Sequence, residues 1–252
     1  MLIVQKLTKR FGTFTAVDQI SFTIEPGMVY GFLGPNGAGK TTTIRMLTLE
    51  SRPTSGIATF RGTPLFDNPI EYKRLFGTVS AEPFLYDHLT GREFLEFVAD
   101  LRSLSASARA SISDLLDRFE IREAADRLVA GYSSGMRRKI SLIAGLLHDP
   151  PLLFLDEPTN SLDAVCVRRL KDLLLERKRA GVTIFLTTHI LEVVEKLADR
   201  VGIIARGRLV AEGPLEKVIS GAGSGDSRLE EVFLELTRTS LPENLENSGN
   251  KA

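Results

Sequence analysis

The sequence predicts an α/β fold with an N-terminal antiparallel β part and a helical subdomain set into the core. Three observations predict it. Apolar, strand-like runs at 28–33 and 152–155 each lead directly into a loop rich in glycine or acid, as core strands do. Residues from about 90 to 147 carry helical spacing, and Thr90 followed by Glu93 makes a capping box at their start. Strands then alternate with helices as far as Glu212, which completes an α/β core.

Composition bounds what such a fold can do. At 252 residues the chain forms one large domain, or a domain with a subdomain, and buries a sizeable core. Hydrophobic residues make up 43% and charged residues 25%, the ordinary balance of a globular protein. Lys plus Arg number 32 and Asp plus Glu number 32, so the basic excess that a nucleic acid backbone demands is missing, and no nucleic acid partner is expected. The single cysteine, Cys166, sits in a helical pattern as a small buried residue and makes no internal disulfide, which fits a reducing cytoplasm. No apolar stretch approaches the roughly 20 residues that cross a bilayer, and residues 1–10 lack a signal-like apolar segment. The chain is therefore not expected to span a membrane itself.

In chain order, the first part is β-rich and runs to about Arg61. It includes the strand at 28–33, followed by Gly34, Pro35, Asn36, Gly37, Ala38, Gly39, Lys40, Thr41 and Thr42, which fit the phosphate-loop pattern GxxxxGK with Ser or Thr next. The glycines let backbone N–H groups turn inward around β- and γ-phosphates, and the following helix points its positive end at them. Lys40 adds an ammonium, and Thr41 offers a hydroxyl to Mg²⁺. Residues 42–47 continue as a helix with apolar positions at i and i+3, so strand, loop and helix stand in the order a P-loop NTPase core requires. The chain is expected to bind ATP or a related nucleoside triphosphate.

A strand over 75–80 then leads to Ala81 and Glu82. Phe84, Leu85, Tyr86 and Leu89 follow, readable either as core residues or as an exposed docking site. After the helical stretch, Tyr132, Ser133, Ser134, Gly135 and Met136 open a further helix with Ser133 or Ser134 as N-cap. Its first turn carries Arg137, Arg138 and Lys139, the wrong sign for a helix dipole unless an anion is near. The strand at 152–155 ends in Asp156, a carboxylate suited to Mg²⁺, and Glu157 lies just beyond, where it can polarise a water for attack on a γ-phosphate. Another strand over 182–187 precedes His189. Residues 221–227 read as a flexible linker and 228–238 as a short helix, whose stripe of Leu229, Val232, Phe233 and Leu236 packs on the domain. Residues 239–252 read as a polar, disordered tail. His88 and His148 receive no role.

The segment Tyr132-Ser133-Ser134-Gly135-Met136 resembles the signature motif of the ATP-binding cassette (ABC) family, usually Leu-Ser-Gly-Gly-Gln, with Ser133 and Gly135 matching and the other three departing. Residues 152–156 look like the family's Walker B strand, Ser161, Leu162 and Asp163 resemble its D-loop, and His189 resembles its switch histidine. Phe11, within 7–12, is similar to the aromatic platform that stacks on adenine, although packing in the core explains it as well. The resemblance covers about residues 1–214, and it breaks at the Q-loop. Where the family usually places Gln, this chain has Ala81 followed by Glu82: either Glu82 serves Mg²⁺ and water from a shifted position, or that ligand is missing.

The resemblance implies an ABC ATPase fold over 1–220 with its helical subdomain at about 90–147. It implies a head-to-tail nucleotide sandwich with a second cassette. Lys40, Thr41, Asp156, Glu157 and His189 of one chain would then act on ATP with Mg²⁺, while Ser133, Ser134 and Gly135 of the other close over the γ-phosphate. The partner would be a separate transmembrane permease, with the chain held peripherally at the cytoplasmic face of the cell membrane. The short C-terminal end resembles single-cassette subunits of bacterial ABC-2-type exporters, which favours export. The alternatives are a soluble non-transport ABC ATPase, or a regulatory cassette with weak or no hydrolysis.

Overall fold

The computed structural model describes residues 1–220 and 229–238. The readings of 221–227 as a linker and of 239–252 as a tail fall outside them. Two sheets pack face to face over one of the cores. The first is antiparallel, formed by β1 (Leu2–Phe11), β2 (Phe14–Ile24), β4 (Ser55–Phe60) and β5 (Thr63–Pro64) in the order β2-β1-β4-β5. Phe11 pairs with Phe14 across a two-residue turn that contains Gly12 at a φ of +58°, a left-handed conformation that costs glycine little. The second sheet takes the order β10-β9-β3-β8-β7-β6, where β3 is Val29–Leu33, β6 Phe76–Val79, β7 Leu152–Asp156, β8 Thr183–Thr187, β9 Arg200–Ala205 and β10 Arg208–Pro214. All neighbours in it are parallel except the edge pair β9 and β10.

Every residue of β3, β7 and β8 is buried, so these strands read as continuous apolar runs rather than as alternating ones. The pleat still sorts them into two cores. Tyr30, Phe32, Phe154 and Phe185 face the antiparallel sheet, where Phe22 of β2 stacks on Tyr30 at 4.9 Å and on Phe185 at 5.7 Å between ring centroids. Val29, Leu153, Leu155, Ile184 and Leu186 face the other way, onto helices.

Those helices are α3 (Gly91–Leu101), α4 (Ala106–Arg118), α5 (Ser134–Leu146), α6 (Ala164–Arg179) and α7 (Leu191–Leu197), with α1 (Lys40–Leu47) and α2 (Pro69–Arg74) before them and α8 (Leu215–Ser220) and α9 (Leu229–Arg238) after. The predicted capping box opens α3: Glu93 N donates to Thr90 Oγ1 at 3.1 Å, and Thr90 N donates to Glu93 Oε2 at 2.8 Å. Cys166 is buried in α6, as expected of a small packing residue. The stripe of α9 packs on Leu33, Val194, Val201 and Ile203, and Leu229 N donates to Glu195 Oε1 at 3.2 Å. The sequence reading left out the short α2, which Asn68 caps and Pro69 opens.

One approach is unusually close. A Cβ on Gly77 of β6 would sit 2.0 Å from the carbonyl oxygen of Gly145, and one on Gly145 of α5 would sit 2.8 Å from that of Thr78. Helix α5 therefore lies on β6 backbone to backbone. Among the described residues, no helix is long and apolar enough to cross a membrane.

Candidate functional site

The phosphate loop joins β3 to α1, and its glycines are sterically required. Gly39 has a φ of +113°, and a Cβ there would meet Ala16 O at 2.7 Å; at Gly34 it would meet Ile204 O at 2.4 Å. Gly37 takes a φ of +77°, and Ala38 is buried beside it, while Pro35 and Asn36 form the exposed crest. Thr42 follows Thr41 in the first turn of α1, half-buried. Lys40 is 7% exposed and donates from Nζ to Gly34 O at 2.7 Å and to Pro35 O at 3.2 Å. Burial pushes the Lys40 ammonium below its ordinary pKa, and the charges of Glu157 and Asp156 act against that shift.

Asp156 is the last residue of β7 and 3% exposed. Thr41 Oγ1 donates to its Oδ2 at 3.1 Å, and Thr187 Oγ1, from the residue in register on β8, donates to its Oδ1. A hydroxyl and a carboxylate this close form a hard oxygen donor set. Mg²⁺ suits it, since that ion takes one or two carboxylates and completes its shell with water and substrate phosphates.

Glu157 follows directly, nearly buried, with a φ of +48°. Its N–H donates to Thr187 O at 3.0 Å. Its Oε2 lies 2.9 Å from Nδ1 of His189 and accepts the His189 backbone N–H at 3.3 Å. The imidazole is the exposed partner of this pair. A buried carboxylate thus fixes the ring of the histidine beside it. Five predicted residues, Lys40, Thr41, Asp156, Glu157 and His189, come together at the C-terminal ends of β3, β7 and β8.

The other predicted residues lie apart from this group. Ser133, not Ser134, caps α5 by accepting Met136 N at 3.3 Å, and a Cβ on Gly135 would lie 2.8 Å from Ser161 O. The signature-like segment therefore meets its own D-loop-like segment rather than the phosphate loop. For two of the three cations after it, the anion that the helix start calls for lies within the chain. Arg137 pairs with Asp87 at 2.5 Å, Lys139 lies 3.8 Å from Asp163, and Arg138 donates to backbone carbonyls. Tyr132, in place of the usual leucine, is packed against Gly91 and donates to Ala124 O at 2.7 Å.

Glu82 is exposed, and Asp156 takes its side-chain hydrogen bonds from Thr41 and Thr187 rather than meeting Glu82. Phe11 is 54% exposed, so it is no core residue, and Lys9 Nζ lies 5.0 Å from the centre of its ring. The two readings of 84–89 both hold: Leu85 is buried, whereas Phe84 is 80% exposed and stacks edge-on with Tyr86 at 5.7 Å. Sequence reasoning missed Thr187 and Arg138. A hydroxyl residue at the end of a strand, in register with Asp156, was the available signal for the first.

A phosphate loop, a carboxylate bonded to its threonine and a second acid paired with a histidine define a P-loop nucleotide site on an α/β core. The chain belongs to the ABC transporter family, whose profile matches residues 17–160. It is 39% identical to the daunorubicin/doxorubicin resistance ATP-binding protein DrrA of Streptomyces peucetius over 88% of this chain and 68% of that one. Identity to the bacitracin transport ATP-binding protein BcrA of Bacillus licheniformis is 38%, over 83% of this chain and 68% of that protein. An uncharacterized ABC transporter ATP-binding protein of Nostoc sp. is 41% identical over 79% of this chain, and there the match spans only 60% of the relative. Among solved structures, an ATP-binding subunit of an ABC transporter superposes with a TM-score of 0.89 at 31% identity, over 94% of this chain and 99% of that one.

Proposed function

We propose that this chain hydrolyses ATP, dimerises around it and powers a separate membrane permease, with export as the direction. The observation that carries the reading is the convergence of Lys40, the Thr41–Asp156 bond and the Glu157–His189 pair at the C-terminal ends of three neighbouring inner strands. Gly34 to Gly39 and Lys40 bind the phosphates, and Phe11 and Thr42 add contacts to the nucleotide. Thr41 and Asp156 hold Mg²⁺, with Glu82 as a further candidate. When bound, Mg²⁺ neutralises charge on the β- and γ-phosphate oxygens. Glu157 takes a proton from the attacking water, and His189, held by Glu157, steadies the γ-phosphate.

Ser133, Ser134 and Gly135 of a second copy, or of a different cassette, close the site from the opposite side. Closing on ATP and opening after hydrolysis is the work output. The exposed pair Phe84 and Tyr86 supplies an apolar contact for the permease and would hold the chain peripherally at the cytoplasmic face of the membrane. The relatives' names, which speak of resistance to daunorubicin and doxorubicin and of bacitracin transport, support export.

The test is Mg²⁺-dependent phosphate release against protein concentration, with sizing of Glu157→Gln in ATP. Turnover that rises cooperatively, together with a variant that binds ATP but stays dimeric and inactive, is the expected result. Normal turnover by Glu157→Gln would refute the assigned base.

A further inference from the structure

Arg138 is the second buried cation beside Lys40 among the described residues, and it is only 2% exposed. It lies in the first turns of α5, three residues after Gly135. No carboxylate pairs with it among the described residues, and its Nε has no partner. Nη1 donates to Ser80 O at 2.6 Å and Nη2 donates to Ala81 O. Burial pushes the guanidinium below its ordinary pKa, and Asp156 and Glu157 are the charges that act against it. An unpaired buried guanidinium is expensive, and an apolar side chain of similar volume would fill the same space.

Placement explains what the guanidinium does. Because α5 lies on β6 backbone to backbone at Gly77 and Gly145, the start of α5 is carried to the exit of β6, where residues 80–82 begin. Those residues are where the chain departs from the family's Q-loop. A bond to backbone carbonyls holds them whatever their side chains are. Two residues further along stand the exposed Phe84 and its neighbour Tyr86.

We propose that Arg138 is a positioning residue, a fork that ties the loop at 80–82 to the signature helix so that the two move as one body. Its effect on turnover rests on the proposed ATPase function; its effect on the loop does not. Arg138 touches no substrate: it acts by holding Ser80 and Ala81 while Phe84 and Tyr86 are pushed or pulled.

The experiment compares the full chain with Arg138→Lys, which keeps the charge but loses the fork, and Arg138→Met, which keeps the bulk alone. Chymotrypsin cleavage after Phe84 and Tyr86, mapped by mass, reads the loop; kcat and KM for MgATP read the coupling. In the Met variant, cleavage should quicken about tenfold and kcat should fall about tenfold, with KM changed less than about twofold, and Lys should recover part of both. Should Met fail to fold, the Lys variant decides, with about threefold effects. Cleavage at the wild-type rate in a folded variant overturns the proposal, and so does faster cleavage with unchanged kcat. If the wild type itself releases no phosphate, the ATPase reading fails, and cleavage alone then decides whether Arg138 anchors the loop.

Discussion

Replacing Thr187 by valine removes one hydroxyl and keeps the shape of the side chain, at a position that is fully buried. In the native protein that hydroxyl donates to Asp156 Oδ1, while Thr41 donates to Oδ2 at 3.1 Å. These two hydroxyls are the side-chain donors to a carboxylate that is 3% exposed. A hydrogen bond to a charged group contributes about 1.5–3 kcal/mol, and its loss here leaves a buried oxygen unsatisfied. Valine adds little compensating apolar burial, so about 2 kcal/mol of stability should go, which in a domain of this size lowers Tm by about 4–8 °C. Thr187→Ser is the control, since it keeps the hydroxyl and loses one methyl, at about 1 kcal/mol. Calorimetry on both variants, with a Mg²⁺ titration of phosphate release, reads the effect. Valine should be the less stable of the two and should need several times more Mg²⁺, because Asp156 loses the restraint on its rotamer. A valine variant with native Tm and native Mg²⁺ requirement would sink the argument that Thr187 sets this carboxylate.

Two further outcomes follow from packing and charge. His148 lies beside Arg102 and the carbonyl of Phe76; burial above all, then the Arg102 charge, lowers its pKa from 6.5 to about 4. The unfolded chain takes up the proton first as pH falls, so stability is full above about pH 6.5 and declines toward pH 4; after allowance for partial exposure, urea midpoints should show about 1 kcal/mol lost between pH 7 and 5, and His148→Gln should flatten the slope. Gly77→Ala would set a methyl 2.0 Å from Gly145 O, so it should cost about 3 kcal/mol in a urea melt, whereas Gly62→Ala, with nothing within 4 Å, should cost much less despite its φ of +84°.

The phosphate loop was legible because it depends on glycines and a lysine at fixed spacing, and the capping box of α3 because Thr90 and Glu93 act on the backbone next to them. Phe22, Tyr30 and Phe185 reveal less from sequence: each is merely apolar until the strand order brings β2 onto β3 and β8. Arg137 and Lys139 call for an anion near the helix start, but the sequence does not show which one. Their partners, Asp87 and Asp163, lie 50 and 24 positions away, so spacing along the helix does not reveal them. Arg138 was harder still, since its partners are carbonyls, and every residue carries one of those. Thr187 could have been found by pairing the ends of the two core strands.

A straight strand sends successive side chains to opposite faces, so Asp156 and Glu157 would serve different sides of the sheet if β7 simply continued. The φ of +48° at Glu157 breaks that alternation, and the charges of both acids oppose the lowering of the Lys40 and Arg138 pKa by burial. Few non-glycine residues hold such a torsion, and here the backbone bond from Glu157 N to Thr187 O stabilises it. The acid pair is thus a matter of backbone shape as much as of side-chain identity: the same two residues grafted onto a regular strand would stand back to back on opposite faces of the sheet.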